Sequence, residues 1–380
     1  MGEAHPGAPE RHTTARGGRV YRLPLRLFPG LNGYAHLVIA DDIVALVDVG
    51  SGYLDSDADL EAALEAVRRD FGERVGWDSL THVLLTHGHI DHFGGLGFVR
   101  QRTQAPVGVH ELDRPTVMFH HERLAVVAQR LRRFLSEAGV DPRRREDLMD
   151  LYLVWKNLYE SQPVDFTYRA AGMRVGPLEL MHVPGHCPGQ VVIRLDDILI
   201  AGDQVLPHIS PHQAPEVLSP YTGLGHYLES LAKLKPLAAA VRVTLGGHGI
   251  PMDDLGSRVE AIEALHAERL ERVLTFLEAP MTMAELSDRL FPGASGYHAL
   301  LAIEETGAHV EHLTQTGAVG LANPEALDDE SAEPLRYLRR EPSDLAAAVR
   351  EAGAGRRASA RLARGAAPGG AREEHPDVRL

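Results

Sequence analysis

Three imidazoles and a carboxylate fall within six residues in the stretch Thr86-His87-Gly88-His89-Ile90-Asp91-His92. Imidazole nitrogen and carboxylate oxygen are the donors a borderline cation such as Zn2+ takes, at about 2.0–2.2 Å. The apolar run Val83-Leu84-Leu85 just before it predicts a strand ending at Thr86. Such a strand delivers the cluster into a loop at its C-terminal edge, where open α/β sheets place their sites. A lone loop histidine is an ordinary solvated side chain; HxHxDH directly after an apolar strand reads as a metal-binding loop.

Three later strand ends repeat the arrangement. Residues 178–183 run into Pro184-Gly185-His186-Cys187-Pro188-Gly189, residues 198–201 into Ala201-Gly202-Asp203, and residues 241–245 into Gly246-Gly247-His248-Gly249. Glycine lets each turn bend tightly and bring its backbone close to an ion. His182, four residues before His186 on a strand, reads as a supporting or core histidine, and Cys187 as a small packed apolar residue. No G-x-S-x-G elbow supports a serine nucleophile. Two divalent cations about 3.5–4 Å apart would instead share a water, bring its pKa toward about 7 and polarise a carbonyl or phosphoryl oxygen. Asp91 or a metal-bound water would then carry the proton to the leaving group.

The elements that must position these loops follow from pattern. Residues 19–27 alternate around Pro24 and predict an edge strand, since proline donates nothing to a ladder. A turn at 29–33 leads to apolar strands at 34–40 and 43–49, then to a helix at about 58–71 with Leu60, Leu64 and Val67 on one face. Strands are expected at 81–86 and 106–110. From 113 to 165 the character is helical. Leu124, Val127, Leu131 and Leu135 share a face beside Arg130, Arg132 and Arg133, with Arg143, Arg144 and Arg145 following. A second helix at about 146–160 carries Leu148, Leu151, Tyr152, Trp155 and Tyr159. This predicts a helical insertion, a hairpin over or beside the site. Strands at 178–183, 190–195, 198–201 and 241–245, with a helix at about 223–234, complete the pattern.

HGHIDH, PGHCPGQ, AGDQ and GGHG, in that order and between strands, resemble the metallo-β-lactamase superfamily over residues 19–253. The resemblance implies an α+β fold, a four-layer αββα sandwich with a dinuclear metal site at the edge between its two sheets. It implies that His87, His89 and His186 hold one ion, that Asp91, His92 and His248 hold the second, and that Asp203 bridges them. Gly246 stands where relatives often carry proline, which bears on loop stiffness and not on ligation. The cofactor expected is two Zn2+ per chain, with iron or manganese as the alternatives. The expected reaction is attack of a bridging hydroxide on a small ester, thioester or lactone, with Asp91 as the catalytic residue. The alternatives are a phosphodiesterase or nuclease, or an iron-dependent persulfide dioxygenase. The arginine-rich insertion would suit an anionic, partly apolar acyl substrate. A regulator without catalysis is the remaining class, and a complete ligand set speaks against it.

Residues 254–340 predict a small, mostly helical C-terminal domain: helices at about 257–277, 283–290 and 297–314 and a hairpin at about 317–322, a plan similar to a winged helix. Residues 253–340 hold 17 Asp and Glu against 7 Arg and no Lys, and the helix that would enter a groove carries Glu304, Glu305 and Glu311. Neutralising phosphates needs cations, so the module is expected to pack or form a homodimer and not to bind nucleic acid. The net charge of -14 over 380 residues points the same way and also excludes general affinity for anionic membranes. One cysteine excludes an internal disulfide framework. No run of about 18 apolar residues suggests a membrane span, and no apolar leader is evident, so the expected compartment is the cytoplasm. Residues 1–18 and 341–380 are expected to be disordered tails.

Overall fold

The computed structural model describes residues 7–327 and 333–340, so the expected tail at 341–380 lies outside the described residues. The chain begins with an antiparallel run: β1 (Glu10–Thr13), β2 (Arg19–Phe28), β3 (Leu31–Ala40) and β4 (Ile43–Val47). Helix α1 (Ser56–Phe71) ends at Gly72, whose φ of 69° reverses the chain, and leads to β5 (His82–Leu84). Short helices α2 (Ile90–Phe93) and α3 (Leu96–Arg100) precede β6 (Val107–Val109). Helices α4 (Arg114–Met118), α5 (His120–Glu137) and α6 (Pro142–Lys156) then precede β7 (Phe166–Thr167). These seven strands form one sheet in chain order, antiparallel from β1 to β4 and parallel from β4 to β7.

The second sheet has the order β12-β11-β10-β9-β8. It comprises β8 (Arg174–Val175), β9 (Leu178–His182), β10 (Val191–Leu195), β11 (Ile198–Gly202) and, after α7 (Leu224–Leu234), β12 (Val243–Gly246). The alternation along each strand explains the layering. In β4, Ile43, Ala45 and Val47 face the second sheet, while Leu46 joins the core under α1. In β5 and the residue after it, Leu84 faces the second sheet and Val83 and Leu85 face away. Strands apolar on both sides must be covered on both sides, and α7 covers the far face of the second sheet through Leu224, Tyr227 and Leu231. The result is the expected order of helices, sheet, sheet, helices.

The last segment comprises α8 (Leu255–Phe276), β13 (Met281–Thr282), α9 (Met283–Leu290), α10 (Tyr297–Gln315), β14 (Val319–Leu321) and β15 (Arg336–Arg339). Its three strands pair in the order β13-β15-β14. Thr282 caps α9 by accepting from Glu285 N, while Glu285 accepts from Thr282 N, a reciprocal cap that the Thr-x-x-Glu spacing encodes.

Four sequence expectations change. Residues 10–13 are not a disordered tail: they pair with residues 19–22 of β2, and Glu10 meets the buried Arg22 guanidinium at 2.8 Å. Consequently β2 is not the edge strand, although β1 stops short of Pro24, so proline still faces an unpaired flank. The hairpin expected within 317–322 is only its first strand, and its partner lies at Arg336–Arg339. Finally, 254–340 is not a separate module. The first half of α8 adds Leu255, Val259 and Ile262 to the outer layer of the sandwich. Leu131, Phe134, Leu148 and Met149 of the helical insertion share one core with Val273, Leu286, Leu300, Ile303 and Val310. Backbone bonds join the two segments directly, from Ala284 N to Ala138 O at 2.8 Å and from Leu335 N to Glu137 O at 2.9 Å.

Buried polar groups lock the same junction. Ser210 Oγ meets His266 Nε2 at 2.7 Å, His266 Nδ1 meets His309 Nε2 at 3.1 Å, and His309 Nδ1 donates to Glu305 O at 2.7 Å. The Glu305 carboxylate accepts from Arg269 and from Gln213 N, each at 2.8 Å. With every one of these groups paired, the cluster reads as internal hydrogen bonding between α8, α10 and the loop before α7. Among the described residues, no helix is long and apolar enough to cross a membrane.

Burying one large aliphatic side chain contributes about 1.5–3 kcal/mol, so the shared core makes the insertion depend on the last segment. A chain ending at Asp253 should leave the apolar faces of α5 and α6 bare. The expected outcome is aggregation on expression, or loss of a cooperative melt. A truncated chain that stays soluble and melts with the full-length protein would show the two parts to be independent.

Candidate metal centre

The loops that follow β4 and β5 in the first sheet and β9, β11 and β12 in the second meet at one edge of the sandwich. His87 follows β5 and is fully buried. His89 caps α2, which places Asp91 and His92 in that helix's first turn. His186 comes from the turn after β9, Asp203 from the end of β11 and His248 from the turn after β12.

The structure brings all seven predicted residues together. His92 Nε2 lies 3.5 Å from Asp203 Oδ1 and 3.7 Å from Asp91 Oδ2. His248 Nε2 lies 3.3 Å from Asp91 Oδ2 and 3.5 Å from Asp203 Oδ2, and His186 Nε2 lies 3.8 Å from the same Asp203 oxygen. The His87 ring is 4.1 Å from His92 and 5.3 Å from His186 between centroids, and His89 is 4.8 Å from His87 and 4.5 Å from His186. Donor atoms within 4.8 Å of one another form one group of Asp91, His92, Asp203 and His248 and another of His87, His186 and Asp203. Asp203 belongs to both.

Four of the five imidazoles are held from behind. His92 Nδ1 donates to Asp48 Oδ2 at 2.9 Å, His186 Nδ1 to His212 O at 2.7 Å and His248 Nδ1 to Asn32 O at 2.9 Å. Thr86 gives its hydroxyl proton to Asp48, so its oxygen accepts from His87 Nδ1 at 3.0 Å. An Nδ1 that donates to an oxygen leaves Nε2 with a lone pair, and here each of those Nε2 atoms faces the shared centre. His87 Nε2, His92 Nε2, His186 Nε2 and Asp203 Oδ1 are buried and have no hydrogen-bond partner among the described residues. Unpaired buried polar atoms cost about 1–3 kcal/mol each. A divalent cation fits this donor set and removes that cost.

Charge states are interlocked. Burial draws the His87 and His89 pKa values well below the ordinary range. Burial also pulls on His92 and His248, but there the Asp203 and Asp91 carboxylates outweigh it and raise both. In return His92 and His248 overcome the effect of burial on Asp91 and Asp203 and hold both carboxyls ionised.

Two carboxylates that the sequence reading did not single out organise the loops. Asp48, just after β4 with φ 59°, accepts from Thr86 N at 2.7 Å as well as from Thr86 Oγ1 and His92. Asp113 accepts from Gly88 N and Gly189 N, both at 2.8 Å, and so staples the first ligand loop to the turn carrying His186. Burial pushes the Asp113 carboxyl up to about 6 despite those two donors. An acid directly after an apolar strand at the ligand edge was the available signal for Asp48; Asp113 had none. His182 stays outside the cluster, donating from Nε2 to Pro188 O at 2.8 Å and stacking on His110 at 3.9 Å. Cys187 lies nearer than expected, with Sγ within 4.8 Å of donor atoms of His87 and His89.

The comparisons with known proteins agree with this geometry. A sequence profile of the metallo-beta-lactamase superfamily matches residues 28–248. The probable metallo-hydrolase YqjP of Bacillus subtilis is 24% identical over 298 residues, covering 74% of this chain and 88% of that protein. A second probable metallo-hydrolase of that organism, YflN, is 26% identical over 230 residues, 55% of this chain and 77% of its own length. Among solved structures, a metallo-beta-lactamase family protein from Thermus thermophilus superposes with a TM-score of 0.64 at 29% identity, over 84% of this chain and 98% of that one. A beta-lactamase domain protein from Burkholderia ambifaria shares the fold, with a TM-score of 0.66 at 23% identity over 89% of this chain and 96% of its own. The profile spans more than half of the sequence and takes in all four ligand loops, and this chain belongs to the metallo-β-lactamase superfamily.

Proposed function

We propose that this metal-dependent hydrolase holds two divalent ions, zinc foremost, and cleaves a small ester, thioester or lactone. His87, His89 and His186 would bind one ion, Asp91, His92 and His248 the other, and Asp203 both. The observation that carries this reading is the set of imidazoles bonded outward through Nδ1 with Nε2 turned to one point. Outward bonds of this kind orient metal-binding histidines and raise their basicity. When bound, two such ions supply a water of lowered pKa and a Lewis acid for the carbonyl oxygen.

The chain's own residues account for the rest. The Asp91 carboxylate lies beside His248 and is partly exposed at the mouth of the centre. There it can hold the proton destined for the leaving group. Asp48 and Asp113 keep the loops in register through backbone N–H groups, so the donors are arranged before substrate arrives. The relatives named as probable metallo-hydrolases support the reaction class.

We read the last segment as winged-helix-like and as a wall of the site, with no nucleic-acid partner. Residues 299–310 of α10 are mostly buried, so that helix is not offered to a groove. Instead His212, whose carbonyl holds His186, points its Nε2 at Glu304 of α10 from 3.3 Å.

Elemental analysis of metal-replete protein should give about two divalent ions per chain, and a chelator should remove esterase activity. Asp203→Ala should lower kcat/KM by more than about 100-fold and His182→Ala by no more than about tenfold. Equal, mild effects of the two substitutions would refute the bridging assignment. Gly247 gives a second test, because a Cβ there would stand 2.5 Å from Asp203 Oδ1 and 2.6 Å from His92 Cε1. Gly247→Ala should weaken metal binding in a competitive chelator titration by about 10–100-fold; unchanged affinity would mean that these two side chains do not share an ion.

A further inference from the structure

The arginines of the insertion, which the sequence offered as contacts for an anionic substrate, are engaged or exposed elsewhere. Arg130 donates to Leu218 O at 3.2 Å, Arg133 pairs with Glu137 at 2.7 Å, and Arg144 reaches Asp288 of α9 at 3.6 Å. Arg132 and Arg143 are exposed. The arginine that enters the interior is Arg22 of β2. Among the described residues it is the one buried arginine or lysine, at 1% exposure. Its place follows from the alternation of the strand. Val20 faces the second sheet while Tyr21 and Leu23 join the core under α1, so Arg22 is directed with Val20 into the space between the sheets.

A charge placed there is costly unless it is paired and hydrogen-bonded. Arg22 meets both conditions. Its Nη1 lies 2.8 Å from a carboxylate oxygen of Glu10, the residue opposite it on β1, and its guanidinium carbon stands 3.6 Å from the centroid of the Tyr34 ring. Its Nη2 donates to Gly249 O at 2.5 Å. That last contact leaves the first sheet, because Gly249 belongs to the turn after β12 and directly follows His248. The two residues before Gly249 are held from β3. Tyr34 N donates to Gly247 O and His248 Nδ1 donates to Asn32 O, each at 2.9 Å. Three consecutive residues of the ligand turn thus hang from the β2–β3 hairpin, two through backbone atoms of β3 and the third through the Arg22 side chain. Gly249 itself sits at φ 78°, where a Cβ would collide with Pro207, so the turn has a narrow choice of shapes.

We propose that Arg22 is a positioning residue for the ion that His248 binds. Its guanidinium, held by Glu10, fixes the carbonyl of Gly249 and through that turn the place of His248 Nε2. Neither Glu10 nor Arg22 falls within residues 28–248, which the superfamily profile matches. The first strand of the chain is thereby tied to its last ligand. The proposal rests on the two-ion reading of the centre, in which His248 serves one ion only. Arg22 acts on the turn and gives no donor to the metal, so its loss should loosen that ion and spare the other.

The test uses the full-length protein loaded with Zn2+ and a competitive chelator titration that resolves the two ions. In Arg22→Met one ion should weaken by about 10–100-fold while the other stays within about threefold of its wild-type affinity. The ion affected should be the one that His248→Ala also loosens. Arg22→Lys keeps the charge but has no second arm, and it should recover part of the loss. Glu10→Ala should weaken the same ion by a smaller factor. Hydrogen exchange follows the seat of the turn directly. The Tyr34 amide, bonded to Gly247 O, should exchange at least about tenfold faster in Arg22→Met, with the amides of β5 unchanged. Equal weakening of both ions, or two ions bound as tightly as in the wild type, would overturn the role. If Arg22→Met does not fold, Glu10→Ala decides by the same measures. A wild-type protein that holds a single ion would remove the two-ion reading. Tyr34 exchange then decides alone, an increase in the variants upholding the positioning of the turn and no change overturning it.

Discussion

Too many lone pairs and negative charges point at one place, and the rest of the molecule is arranged around that fact. Four imidazole Nε2 atoms and two carboxylates meet within a few ångströms. Without cations they can coexist only by sharing protons, as the opposed pKa displacements of His92 and His248 against Asp91 and Asp203 show. Burying such a set is unfavourable unless its charges are compensated. The scaffold therefore supplies rigidity from behind: a carboxylate for His92, backbone carbonyls for His186 and His248, and a hydroxyl for His87. Two sheets packed face to face suit this purpose, because their strand ends present loops from opposite sides to one edge.

How much of this was legible in the sequence differs by residue. The seven converging side chains were legible because each lies in the segment that follows an apolar strand, where chemistry and local pattern coincide. The layers were legible for a similar reason: continuous apolar strands must be covered twice, and the helical spacing of Leu60, Leu64 and Val67 announces one cover. Asp113 was not legible, since its role lies in two backbone N–H groups 25 and 76 residues away. Strand β1 was missed because four mostly exposed polar residues carry no apolar alternation; the ladder with β2 alone defines them. β15 was missed because its partner β14 lies across a long connection and not a tight turn.

The acidic helix α10 shows the limit of reading charge without place. Glu304, Glu305 and Glu311 look in sequence like a solvated face. In the fold Glu304 and Glu305 are buried; Glu305 takes Gln213 N and Glu311 takes Glu216 N, both of the loop before α7, while Glu304 lies 3.3 Å from His212 of that loop without a hydrogen bond. Burial lifts all three carboxyls above the ordinary range. Glu305 and Glu311 fasten this helix to the loop whose carbonyl orients His186, which links the last segment to the first coordination of the centre.

The core shared by the insertion and the last segment also has a consequence in time. Ribosomes deliver the apolar faces of α5 and α6 well before α10, and the intervening residues 157–296 take on the order of ten seconds to synthesise. During that interval Leu131, Phe134 and Leu148 have no permanent cover. The nascent sandwich must therefore travel with an open hydrophobic flank, and this is the surface that a holding chaperone would meet. Release would then coincide with the docking of Leu300 and Ile303, so the flank of the insertion is covered only once α10 has been made.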